Sequence, residues 1–165
     1  MDQNELEGVK KIVTLISEAQ DIGTKLGYTN LLQPGLVKEL IVGSILGHAV
    51  HKTKHDADAF DPIDRTIEYE YLSCFEDGTF QLDRMFKFPE EEHQKSMHRI
   101  TRNKYFYCAV FARKNPLHVK AIYQVPVQAI YDETNRQLAN SKNNISHVGF
   151  TIPWVKENGK KIYGE

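Results

Sequence analysis

Residues 104–112, KYFYCAVFA, constrain the fold more than any other stretch of the chain. A short, almost unbroken apolar run of this kind reads as a strand covered on both faces, because a strand with one wet face alternates instead. Arg113, Lys114, Asn115 and Pro116 turn the chain from it into HVKAIYQVP, a partner core strand. Covering both faces of a sheet takes helices, and helical signals occur at residues 4–26, 36–50, 89–103 and 127–141. The expected fold is α/β, a central mixed β-sheet flanked by helices. With 165 residues, 41% of them hydrophobic, the chain can bury the core of one compact domain.

Residues 4–26 place Leu6, Val9, Ile12, Val13, Ile16 and Ala19 at helical spacing, which predicts a core-facing amphipathic helix. The second helix has Pro34 near its start and Gly47 near its end. Residues 66–74, TIEYEYLSC, alternate as a strand, with Ile67, Tyr69 and Tyr71 on one side and Glu68, Glu70 and Leu72 on the other. The turn signal Glu76-Asp77-Gly78 predicts an antiparallel hairpin with TFQLDRMF, which would bring Gln81 near the glutamates. The helix at 89–103 opens on Pro89 and three glutamates and closes on Arg99 and Arg102, in agreement with the helix dipole. After the helix at 127–141, Ser141, Lys142, Asn143, Asn144, Ser146 and His147 read as a polar loop, and TIPWVKENGKKIYGE as a strand-like start with a basic end.

Chemistry concentrates in residues 51–74, HKTKHDADAFDPIDRTIEYEYLSC. Two carboxylates on one strand face, opposite an acid from Asp56, Asp58 or Asp61, form the oxygen-rich set that a hard divalent cation takes. Glu39, on the preceding helix, is placed either as an outer metal ligand or as an ordinary solvated residue. His48, His51 and His55 do not make a transition-metal site on this reading, because an extended run holds residues four apart too far from one another to chelate one ion. Cys74 and Cys108 lie in apolar strand-like segments and read as buried reduced thiols. No leader and no apolar run of about 18 residues is present, so the expectation is a soluble, cytoplasmic protein without a membrane partner.

The net charge of −1 conceals an asymmetry. Residues 1–60 carry six basic and eight acidic side chains, 61–95 four and ten, and 96–165 eleven and four. An acidic centre beside a basic region suits a protein that holds cations while neutralising phosphates; an unevenly charged solvated surface is the plainer reading.

The order helix, strand carrying an acid, hairpin strand carrying acids, hairpin partner, helix, strand resembles the core of the PD-(D/E)xK nuclease superfamily, to which many type II restriction endonucleases belong. The likeness covers roughly residues 36–125, with 126–165 adding DNA contacts, and rests on Glu39, on KHDADAFD and on EYEYLS. It implies Mg²⁺, or Mn²⁺ in its place, bound by Asp58, Glu68 and Glu70, and hydrolysis of phosphodiester bonds in double-stranded DNA by a homodimer. The motif lysine is missing. With Glu68 in the glutamate place, Glu70 stands where the lysine would be; with Glu70 there, Leu72 does, and Lys52 or Lys54 would be the relocated lysine. Arg84, Arg99, Arg102, Lys104 and Lys142 are the implied phosphate contacts, and Asn143 and Asn144 the base readers. Competing readings are a non-catalytic DNA-binding or interaction domain on the same fold, and a small metal-dependent phosphoesterase.

Overall fold

The structure is a computed structural model that describes residues 3–53 and 57–164. The chain divides into two compact units, residues 1–37 and 38–165. The first is dominated by helix α1 (Gln3–Leu26). Gly27, at φ 92°, ends it in the left-handed region that favours glycine. The loop folds back onto the last turns: Gln20 Oε1 accepts the Leu31 N–H at 2.9 Å, and Leu31 packs on Gly23, where a Cβ would meet Leu31 Cγ at 2.8 Å.

The apolar stripe of α1 does not face a core. Leu6, Val9, Ile12, Val13 and Ile16 are 39–57% exposed, and Ala19 is exposed with them. Helical spacing specifies that a face is apolar; it does not specify what covers it.

In the second unit, a six-stranded sheet has the order β1 (Ala49–Val50), β2 (Ala59–Phe60), β3 (Glu68–Phe75), β5 (Asn103–Phe111), β6 (Val119–Pro126), β8 (Lys160–Gly164). Every pairing is antiparallel except β3 with β5, which is parallel. The mixed α/β class expected from the sequence is thus present. The run at 104–112 lies in β5, buried from Phe106 to Phe111 and flanked by β3 and β6.

One face of this sheet carries Leu72, Cys74, Phe106, Cys108, Val110, Tyr123 and Val125 into the main core. Helices α3 (Glu90–Thr101), α4 (Val127–Asn140) and α5 (Ile152–Asn158) close that core, together with a two-stranded sheet of β4 (Thr79–Phe86) and β7 (Ile145–Thr151). On the other face, the 38–46 part of α2 (Leu36–Leu46) brings Lys38 over the Phe75 and Phe111 rings. Gly43 allows the close approach, since a Cβ there would lie 2.5 Å from Val50 Cγ2. Gly47, at φ 71°, stops the helix, so β1 begins at Ala49, inside the stretch that periodicity assigned to the helix.

Three further expectations are corrected. β4 does not pair with β3: both edges of β3 are occupied, by β2 and by β5, and β4 pairs with β7 instead. The Glu76-Asp77-Gly78 turn does form, with the Gly78 N–H donating to Phe75 O at 2.8 Å, but Gln81 lies opposite Gly149 and away from the glutamates. Ser146 and His147 belong to β7, leaving a shorter loop. Residues after Thr151 form helix α5, because the Thr151 hydroxyl caps the Trp154 N–H at 3.3 Å and Pro153 fits the first turn.

Cys74 and Cys108 are buried free thiols on neighbouring strands. Burial pushes Cys74 up to about 12 and Cys108 further in the same direction, which suits packing groups rather than nucleophiles. Among the described residues, no helix is long and apolar enough to cross a membrane.

Candidate functional site

The site forms where the segment entering β2 meets β3 and the end of α3. The Asp58 carboxylate accepts the Tyr71 backbone N–H at 2.8 Å, and the Asp58 carbonyl accepts the His51 N–H at 2.9 Å. These bonds hold the Asp58 carboxylate beside β3, where Glu70 precedes Tyr71. Glu70 retains 15% side-chain exposure, and its Oε2 is buried with no hydrogen-bond partner among the described residues. Among the described residues it pairs with Arg102, whose Nη2 is 3.8 Å from that oxygen, an ion-pair distance beyond hydrogen-bonding range.

Two acids so placed oppose each other's ionisation. Burial raises the Asp58 pKa to about 6, against the Tyr71 N–H and the Arg102 and Arg99 guanidiniums, which favour its charge. Burial, and then the Asp58 charge, hold Glu70 well above the usual carboxylate range, with Arg102 and Arg99 again opposing. Glu39, half-buried in the first turn of α2, adds a smaller push in the same direction.

Glu68 lies elsewhere in the ladder. Its Oε1 is 3.9 Å from His51 Nε2, and it pairs with Phe60 across from β2. Between Glu68 and Tyr69 the register with β5 slips: Glu68 stands opposite Asn103 and Tyr69 opposite Tyr105. This irregularity interrupts the simple alternation from which Glu68 and Glu70 were placed on one face.

Asp61 is engaged in its own turn, accepting the Ile63 and Asp64 N–H groups at 2.8 and 3.0 Å, and those bonds hold its pKa down. Lys54 and Asp56 lie outside the described residues. Among the described residues, no cluster of three or more His, Cys, Asp or Glu side chains could hold a metal ion.

The opposite face of β3 carries an aromatic network. His48 stacks on Tyr69 at 4.1 Å between centroids, and its Nδ1 shares a 2.8 Å hydrogen bond with the Tyr71 hydroxyl. Burial lowers the His48 pKa and pushes Tyr69 up to about 12, so both are held neutral near pH 7.

The expected DNA-facing residues fall into two groups. Arg99, Arg102 and Lys104 sit at the junction of α3 and β5, Arg99 donating to Asp83 O at 3.1 Å. Arg84, at φ 53° beside the β4 irregularity, and Lys142, Asn143 and Asn144 are exposed near the paired ends of β4 and β7. Asn144 O accepts the Lys87 N–H at 2.6 Å, and Lys87 Nζ caps α4 at Ala139 O and Ser141 O. Sequence reading missed the Tyr71 N–H as a holder of Asp58, and gave Arg102 to the helix dipole and to phosphate but not to Glu70. The signal for Arg102 was its place at the end of a helix that leads into a strand adjoining the acidic one.

Compared with known proteins, the sequence matches no family model and aligns significantly with no curated protein.

Proposed function

We propose that this chain is a Mg²⁺- or Mn²⁺-dependent hydrolase of phosphodiester bonds in double-stranded DNA, built on a core resembling the PD-(D/E)xK superfamily. The observation that carries this reading is the buried Asp58–Glu70 pair, in which each acid is held protonated more readily than usual and Glu70 Oε2 has no hydrogen-bond partner among the described residues. Neighbouring buried carboxylates are costly without positive charge. Two carboxylates, with water and substrate phosphate completing the shell, are also the donor set that Mg²⁺ uses. A cation held there would polarise the scissile phosphate and lower the pKa of the attacking water.

The remaining roles belong to the chain. Asp58, fixed by the Tyr71 N–H, and Glu70 would hold the cation, and Glu39 would orient water from α2. In this alignment Leu72, a core residue, stands in the lysine place. Arg102 supplies positive charge beside Glu70 from the α3–β5 junction, where a phosphate can share it. Glu68, beside His51, flanks the site. The element order α2, β1, β2, β3, β4, α3 and β5 supports the likeness, since the acid segment precedes β2 and Glu70 lies on β3; the pairing of β4 with β7 rather than with β3 departs from it. The eleven basic and four acidic side chains of residues 96–165 support a polyanionic substrate.

The test is incubation of duplex DNA with the protein in Mg²⁺, in Mn²⁺ and in chelator, beside Asp58→Asn and Glu70→Gln. Metal-dependent fragments are expected, with cleavage slowed roughly 100-fold or more in either variant. A second reading, DNA binding without chemistry, is favoured by Leu72 in the lysine place and by Arg102 as a built-in counter-ion. Intact but retarded DNA in every lane would establish that reading instead.

A further inference from the structure

We propose that the cleft between α5 and the β6–β8 side of the sheet binds a small organic carboxylate, an apolar body carrying a single negative charge. The inference does not rest on the chemistry at Asp58 and Glu70, which lie toward the start of β3. From Glu70 to Phe75 the strand runs about 16 Å at roughly 3.3 Å per residue, and Glu76, which borders the cleft, comes after it. The cleft has a volume of about 540 Å³, within the range of roughly 300–1,000 Å³ that small-molecule sites occupy.

The cleft follows from the way α5 is attached. That helix has seven residues, and Gly159 turns the chain from it straight into β8. A Cβ at Gly159 would lie 2.9 Å from Val125 Cγ2, so the helix is pinned near Val125 and leaves a cleft over the earlier part of β6. The inner wall is apolar: Val110 of β5 and Val119, Ala121 and Tyr123 of β6 are buried and line it, and α5 adds Ile152. Tyr123 is only 7% exposed, yet its hydroxyl makes no hydrogen bond among the described residues. A buried tyrosine hydroxyl ordinarily has a partner, and the space for one here is the cleft.

The charges on the rim narrow the ligand. Glu76 Oε2 pairs with Lys120 Nζ at 2.5 Å, and its Oε1 accepts the Arg113 N–H at 3.0 Å, so Glu76 and Lys120 cancel. Lys156, one turn after Ile152 on α5, makes no ion pair among the described residues and is the surplus charge. His118 and the Tyr163 hydroxyl add hydrogen-bonding groups to the lining. One uncompensated ammonium beside an apolar wall matches a carboxylate. A phosphomonoester, at about −1.5 to −2 at pH 7, would exceed it. An inorganic anion would leave the wall uncovered, and an uncharged ligand would leave Lys156 unpaired.

The test is titration of octanoate into the full chain, followed by backbone amide NMR shifts, with octanol and inorganic phosphate as separate probes. Octanoate should bind at about 1 mM or tighter and shift the amides of Val119, Ala121, Tyr123 and Lys156, with octanol and phosphate each at least about tenfold weaker. Lys156→Gln, an exposed change that leaves the wall intact, should weaken octanoate about tenfold without affecting octanol, and Tyr123→Phe should weaken octanoate about threefold. No shift in the cleft up to about 10 mM octanoate would make it a water-filled groove and overturn the proposal. So would shifts that fall on α1 instead, octanoate binding indifferent to either substitution, or octanol or phosphate binding as tightly as octanoate.

Discussion

Asp58 lies beside Glu70 because the Tyr71 N–H on β3 fixes one carboxylate next to the residue that bears the other. The consequence is a pH dependence with a definite sign. Asp58 moves from an ordinary 3.8 to about 6 on folding, so between about pH 4 and 6 the folded chain binds protons more tightly than the unfolded one. Stability from this group is therefore full below pH 4 and is lost as pH rises through 6; Glu70 acts in the same direction. His48 opposes them, since its lowered pKa makes the fold lose stability as pH falls below about 6.5. Comparison with Asp58→Asn isolates the carboxylate, because the amide oxygen can still accept the Tyr71 N–H. In chelator at pH 7.5, urea unfolding should find Asp58→Asn more stable than wild type by about 1–3 kcal/mol, and the advantage should shrink toward zero near pH 4.5. An Asp58→Asn variant less stable by a constant amount at both pH values would mean that the carboxylate is not held under electrostatic strain.

At the scale of elements, β4 and β7 depend on α4. Gln137 accepts the Gly149 N–H at 3.1 Å and donates to Gly149 O at 2.7 Å, so one helix side chain grips both polar groups of one strand residue. Gln137→Ala leaves both without that partner and should destabilise the protein by about 1–3 kcal/mol in denaturant unfolding. A change below about 0.5 kcal/mol would show that water replaces the side chain without cost. What the sequence made legible here was local. The apolar run of β5, the acidic start of α3 and the period of α4 each signal their element without reference to the rest of the chain. The partner of β4 was not legible, because it depends on both edges of β3 being occupied by strands far apart in sequence. Helix α5 had a local signal in Thr151 and Pro153, outweighed by the apolar look of residues 148–155. In the site, the acids were legible as residue types. Which glutamate joins Asp58 was not, because the register slip at Glu68 arises from pairing with β5.

For the whole molecule, the buried Asp58–Glu70 pair sits toward one end of the parallel β3–β5 pair, and the basic excess follows it in the chain, from Arg99 onward. Arg102 joins the two, lying against Glu70 while belonging to that basic region. On the proposed function, this arrangement would bring a phosphate to a cation without leaving either acid uncompensated. The central claim is that Asp58 and Glu70 form a cation site, and calorimetric titration of Mn²⁺ into the metal-free protein at pH 7.5 addresses it without requiring the right substrate. The account predicts one site in the wild type, weakened at least about tenfold in both Asp58→Asn and Glu70→Gln. A wild type that takes up no Mn²⁺, or variants that bind as tightly as the wild type, would contradict it.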